Sequence, residues 1–166
     1  MATTHLGDDP VETVGDLPAV GSHAPAFEVT GIDMAPVTSA DLAGRRVVLN
    51  IFLSVDTGVC AASVRRFNEL AAGLDNTTVL NVSGDLPFAQ KRFCGAEGIE
   101  NVTLGSVFRN PEFGTDYGVT LAESKMAGLL GRAVVVLDTD GTVLHSQLVP
   151  VIGTEPDYDA AVASLG

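Results

Sequence analysis

The sequence predicts an α/β fold, a mixed central sheet flanked by helices with a β extension at the front. Three observations carry that expectation. The run "RRVVLNIFL" (45–53) is almost continuously apolar, which suits a strand covered on both faces. Directly after it, "VCAASVRRFNELAAGL" (59–74) places Val59, Ala62, Ser63, Phe67, Leu70 and Leu74 on one helical stripe. Further on, "RAVVVLDTDGTVLHSQLV" (132–149) sets two apolar strands around a "DTDG" turn, the pattern of a hairpin.

The remaining elements follow in chain order. The first 25 residues are rich in Pro, Gly, Thr and Val and read as turns and short edge strands. Residues 1–20 are expected to form a β-hairpin extension to one domain spanning 1–166. "FEVTGIDMAPVTSADLAG" continues in short alternating pieces. "NTTVLNVS" (76–83) is a second strand; joined to the first through a helix, it should run parallel to it. "DLPFAQKRFCGAEG" (85–98) reads as a short helix, with Asp85 as its cap, Pro87 in its first turn and Gly95 or Gly98 at its end. "ENVTLGSVF" is a weak strand or loop, and "RNPEFGTDYGV" a turn with a short helix. "TEPDYDAAVASLG" closes the chain as a helix capped by Thr154, with Pro156 near its start. Strand, helix, strand, helix, hairpin, helix is the thioredoxin-like plan with extra strands in front.

Composition narrows the classes of partner. A formal charge of −12 argues against nucleic acid or an anionic membrane. The opening "MATTHLGDDPVETVG" lacks the basic start and apolar stretch of a secretion signal. No apolar run approaches the ~20 residues of a membrane span. Two cysteines in 166 residues do not make a secreted disulfide framework. The expected setting is the reducing cytoplasm, where a thiol is a core residue, a metal ligand or a reagent.

One thiol, Cys60, falls where a strand ends and a helix begins, in "SVDTGVCAASVRRFN". The first N–H groups of a helix have no partner within it, and its dipole adds positive potential there. Both favour a thiolate over a thiol. The end of a strand feeding a helix is also where open α/β sheets hold their sites. A buried, inert Cys fits the same position. Thr57 stands where a dithiol oxidoreductase would carry its other Cys, so the site has one sulfur and a hydroxyl. Thr57 also suits a plain helix cap. Cys94 lies on the next predicted helix, beyond a strand, which excludes Cys-x-x-Cys chemistry, and no Cys/His cluster suggests zinc. His5, His23 and His145 are scattered. Arg132 opens the apolar strand "AVVVLD"; it either snorkels to solvent or turns its guanidinium toward the thiolate, and both readings stay open.

These stretches, "NIFLSVDTGVCAASVRRFN", "DLPFAQKRFCGAEG", "FRNPEFGTDYGV" and "RAVVVLD", resemble the thiol peroxidase branch of the peroxiredoxins, from about Val11 to the end of the chain. The resemblance implies that Cys60 is the peroxidatic cysteine, attacking a peroxide and becoming a sulfenic acid. It implies that Cys94 is the resolving cysteine, closing an intramolecular disulfide with Cys60. Thr57 and Arg132 match the residues that hold the thiolate and the peroxide oxygens, and Leu53 and Val59 are expected at the substrate pocket. It further implies hydrogen peroxide and alkyl hydroperoxides as substrates, thioredoxin as reductant, no cofactor, no metal and a homodimer. A free thiol of pKa ~8.5 gains only roughly 30-fold from full ionisation at neutral pH. Alignment of sulfur with the two oxygens, and donors for the leaving oxygen, must therefore supply the larger part.

The chain departs from the branch's Pro-x-x-x-Thr-x-x-Cys motif at one place, where Leu53 stands for the Pro. Leu keeps apolar cover but adds an N–H and a flexible side chain. Weakened peroxidase turnover is expected, and a thiol–disulfide redox sensor of the same fold is the alternative. A cysteine hydrolase would need a His beside Cys60. A structural module would leave both thiols inert.

Overall fold

A computed structural model describes all residues, 1–166. Its central strand is β5 (Arg46–Ile51), the apolar run expected to be covered on both faces; five of its six residues are buried. β5 leads through a tight turn into α1 (Gly58–Ala71), and the chain returns as β6 (Thr77–Ser83), paired parallel to β5 with Val48 opposite Val79. α2 (Pro87–Glu97) and β7 (Thr103–Ser106) repeat the crossover, β7 lying parallel to β6. On the other side of β5 the hairpin of β8 (Ala133–Leu137) and β9 (Val143–Leu148) is antiparallel, with Ile51 opposite Ala133. β3 (Glu28–Gly31) and β4 (Pro36–Thr38) complete a seven-stranded sheet of order β4-β3-β7-β6-β5-β8-β9. β1 (Thr3–Leu6) and β2 (Asp9–Glu12) form a separate antiparallel pair, tied to the chain after β9 by the Thr4 hydroxyl donating to the Val149 carbonyl at 2.8 Å. α3 (Glu112–Asp116) and α4 (Tyr158–Ala163) are short.

Alternation along the strands divides the core. Val47, Leu49 and Ile51 of β5 point to one face with Val135, Phe27 and Phe113. Val48 points to the other with Val79, Val134, Val136, Phe67 of α1 and Ala161 of α4. Burying each such side chain stabilises the fold by about 1.5–3 kcal/mol. A third cluster gathers at the Cys60 end: Phe52, Leu53, Val55, Cys60, Val64, Phe93 and Ile152.

Three local expectations are corrected. Ser63 and Phe67 of the expected α1 stripe are buried and Leu70 packs on the core, but Val59 and Ala62 are only half-buried, and Cys60 and Val64 complete the buried face. Asp85 does not cap α2: Leu86 occupies that position, and the Asp85 carboxylate is taken by donors from elsewhere in the fold. Thr154 gives its hydroxyl to the Val151 carbonyl, and Asp157 caps α4 by accepting from the Ala160 N–H at 3.0 Å. Pro87 does open α2, and Gly98, at φ 65°, ends it in the left-handed conformation that a Cβ disfavours.

Candidate active site

Cys60 is the third residue of α1 and fully buried. The geometry of β5 and β8 brings Arg132 to it. Antiparallel pairing sets the start of β8 beside the end of β5, so the residue before β8 lies next to the start of α1. Arg132 is only 2% exposed. The snorkelling alternative is therefore excluded. Its Nη2 donates to Cys60 Sγ at 3.1 Å, its Nε donates to the Ile152 carbonyl at 2.8 Å, and its buried Nη1 has no partner. No carboxylate pairs with this buried guanidinium. A buried cation without a carboxylate partner is costly, and Cys60 Sγ is the side-chain atom that meets it.

The helix start is held from behind. The Ser63 hydroxyl donates to the Cys60 carbonyl at 2.8 Å and accepts from Asn50 Nδ2 at 3.2 Å. Asn50 also donates to Asn81 Oδ1 at 2.8 Å, linking β5 to β6 beneath the site. Polar residues on central strands are costly to bury unless paired, and this set pairs all but Asn50 Oδ1, which has no partner.

Thr57 occupies the helix-cap position by backbone (φ −99°, ψ 141°), but its hydroxyl makes no cap. It donates to the Ser54 carbonyl at 3.0 Å and is exposed. Thr57 lines a cleft of about 250 Å³ with Val55, Gly58 and Ala61 on one wall and Arg92 and Phe93 of α2 on the other. Leu53 and Val59 do not line it: Leu53 is buried under the turn, in the same cluster as Cys60, and Val59 is half-buried on α1. Neither cysteine nor Arg132 lines this cleft, which opens on the turn before Cys60, and two larger hollows, of about 330 and 340 Å³, lie away from it around Phe27 and Ser39.

Cys94 is half-buried in the last turn of α2 and packs against the cluster that holds Cys60. Both cysteines are free thiols. Burial raises the Cys94 thiol above its ordinary value of 9.0. The Cys94 carbonyl receives the Gly98 and Ile99 N–H groups, so the helix-ending turn hangs on this residue. The cleft wall of α2 is Arg92, Phe93, Ala96 and Glu97; Cys94 lies about 100° round the helix from Phe93.

The histidines stand apart. His145 pairs with Val136, at the other end of β8 from Arg132, and burial lowers its pKa. His5 and His23 meet backbone carbonyls at Pro150 and Ala24. No His reaches Cys60 to act as the base a cysteine hydrolase needs, and no cluster of residues suits a metal ion. No helix is long and apolar enough to cross a membrane.

The chain as a whole is matched by known proteins. Residues 19–162 fit the Redoxin family. A thiol peroxidase of Mycobacterium tuberculosis is 58% identical over 166 residues, covering 100% of this chain and 99% of its own. The chain belongs to the thiol peroxidase branch of the peroxiredoxins. A second thiol peroxidase of that branch, from Corynebacterium glutamicum, is 56% identical over 99% of both chains. The crystal structure of a peroxiredoxin-like protein from Aquifex aeolicus superposes with a TM-score of 0.94 at 39% identity, over 99% of this chain and 96% of that one. As a member of this peroxiredoxin branch, the chain is an enzyme.

Neither Asp85 nor Ser63 stands out as a site residue in the sequence. Asp85 left one trace, an acid just past the end of a parallel strand, where sites of open sheets gather. Ser63 left none beyond its place on the helical stripe.

Proposed function

We propose that the chain reduces hydroperoxides through Cys60 and Cys94 in turn. The Cys60 thiolate attacks one peroxide oxygen. The S–O bond forms, the O–O bond breaks, and the other oxygen takes a proton and leaves as alcohol or water. Sulfur is oxidised by two electrons and the peroxide reduced by two. Cys94 then attacks the sulfenic acid, which loses its oxygen as water, and a Cys60–Cys94 disulfide remains. The dithiol of thioredoxin returns the two electrons.

The observation that carries this reading is the valence of Arg132. One of its nitrogens is on Cys60 Sγ, one on a carbonyl, and the third is buried without a partner. An unpaired buried donor costs free energy unless something fills it. An oxygen acquiring charge beside the sulfur would, and such fixed donors are worth about 100- to 1,000-fold in rate. Thr57, exposed on the cleft, supplies a hydroxyl for the second oxygen. The apolar members of the cleft, Val55, Ala61 and Phe93, favour an alkyl group over bare peroxide.

Cys60 and Cys94 start on two different helices, and we expect the ends of α1 and α2 to loosen when the disulfide forms. Bridged Cα atoms lie within ~7 Å. The protein works as a homodimer in the cytoplasm, without metal or organic cofactor. A coupled assay with thioredoxin, its reductase and an organic hydroperoxide tests the whole cycle. Turnover that ceases in Cys60→Ser is the expected result. Wild-type rates in Cys60→Ser would remove the central claim, and a slow disulfide that thioredoxin barely turns over would favour the redox sensor.

A further inference from the structure

We propose that Asp85 is a positioning residue, which holds the Cys60 turn closed for attack and opposes the loosening that the disulfide needs. This rests on the two-cysteine reading above. The Asp85 carboxylate gathers three donors from two separate loops. Oδ1 accepts from the Ser54 hydroxyl at 2.7 Å, while Oδ2 accepts from the Val55 N–H at 2.9 Å and the Ser83 hydroxyl at 2.6 Å. Ser54 and Val55 belong to the turn that delivers the chain to Cys60; Ser83 ends β6.

On the Cys60 side the turn is closed on Ser54. Its hydroxyl accepts from the Asp56 N–H at 3.1 Å, and its carbonyl from the Thr57 N–H at 3.2 Å and the Thr57 hydroxyl at 3.0 Å. On the Cys94 side, buried Gln90 donates to the Ser83 hydroxyl at 3.2 Å and to the Gly105 carbonyl at 2.9 Å. Gln90 stands one helical turn before Cys94. A continuous path of hydrogen bonds thus joins the Cys60 turn to the Cys94 helix, and Asp85 is its centre.

Two ion pairs cross the same gap, Arg92 to Asp56 at 3.4 Å and Arg65 to Glu97 at 3.6 Å. All four side chains are well exposed, and such pairs count for little in water. Hydrogen bonds to a half-buried carboxylate are stronger and fix direction. Asp85 therefore governs the closed state more than the ion pairs do.

The consequence is an opposite effect on the two chemical steps. Closing the turn aligns Cys60 with Arg132 and the peroxide. Opening it lets Cys94 approach. A residue that only supported folding would not move the two rates in opposite directions.

The test is Asp85→Asn in the full-length chain, followed by quenched-flow mass spectrometry because the chain has no Trp. Sulfenic acid formation with an organic hydroperoxide is timed in a Cys94→Ser background. Disulfide formation is timed with both cysteines present. The expected result is sulfenic acid formation slower by about tenfold, disulfide formation faster, and less sulfinic acid at high peroxide. Ser54→Ala, which removes one of the three bonds, should give the same split more weakly. It carries the test alone if Asp85→Asn does not fold. Unchanged rates, or both steps slowed together, would overturn the proposal. If the parent chain forms no Cys60–Cys94 disulfide, the two-cysteine reading fails and takes this one with it. If the disulfide forms and the split is missing, only the role of Asp85 fails.

Discussion

Cys60 and Cys94 touch the same apolar cluster and live in opposite surroundings. Cys60 is fully buried at the first turn of a helix, faces a buried guanidinium and has its backbone tied to two strands. Cys94 is half-buried at the last turn of a helix, and desolvation alone shifts its thiol. Beside the shared apolar cluster, Cys60 has polar side chains anchored in the sheet. Cys94 rests on a helix terminus, where chains fray first. A nucleophile that must meet its substrate in one geometry is served by the first kind of site. A thiol that must travel is served by the second.

The sharpest way to break that comparison is to exchange the two losses. Cys60→Ser should abolish peroxide consumption altogether. Cys94→Ser should consume one equivalent of hydroperoxide at an undiminished rate and then stop turning over with thioredoxin. Rapid-quench peroxide assays separate the two outcomes. Continued thioredoxin-driven turnover in Cys94→Ser would mean that a thiol outside Cys94 resolves Cys60. Next in size is Arg132→Met. Its reaction with hydroperoxide should fall about 100- to 1,000-fold. Its unfolding midpoint in denaturant should hardly move, because an apolar side chain of similar length relieves a buried charge and an unpaired donor. A large loss of stability with modest loss of rate would make Arg132 a structural residue.

The Cys94 end carries a pH signature. Its folded-state pKa lies above the ordinary 9.0, so the native chain holds the thiol proton more tightly than the unfolded chain does. That contribution to stability is whole below the ordinary pKa and is lost as pH rises through the folded value. The midpoint of the reduced protein should therefore drop faster in alkaline solution than that of Cys94→Ser. Disulfide formation should accelerate over the same range, since thiolate is the attacking species. Parallel pH profiles for the two chains would show that desolvation at Cys94 has no thermodynamic consequence.

What the sequence disclosed follows the range of each interaction. The strands 45–53 and 76–83 and the hairpin around "DTDG" rest on patterns within a few residues, and all appear at those places. Cys60 at a helix start was equally local. The Arg132 contact was not, because it depends on β8 pairing antiparallel beside β5 rather than at the edge of the sheet. Only that register decides between solvent and sulfur. Asp85 looked like a cap for the same reason: its neighbours in sequence suit a cap, whereas Ser54 and Val55, its partners in space, belong to a different loop. The stripe of α1 is right at Ser63 and Phe67 and wrong at its leading edge. Spacing sets the period of a buried face, while the sheet beneath it sets the phase, and here the phase puts Cys60 rather than Val59 inward.

Leu53 offers the smallest test, and it bears on the fixed end alone. Its side chain is 4% exposed and lies in the cluster around Cys60. No hydrogen bond uses its backbone N–H, so a Pro there would remove none. Pro would also stiffen the entry to the turn that Ser54 and Asp85 close. Against this, Pro fills less of the cluster than Leu, which costs some apolar contact. Stiffening acts on the alignment of Cys60 and lost packing acts on stability, so the two effects are separable. Leu53→Pro should raise the rate with hydrogen peroxide by about two- to threefold, in keeping with roughly half a kcal/mol gained from a rigid residue. The unfolding midpoint should fall slightly. A lower rate with hydrogen peroxide in Leu53→Pro would mean that the apolar cover of Leu53, and not the stiffness of the turn, is what the Cys60 end depends on at this position.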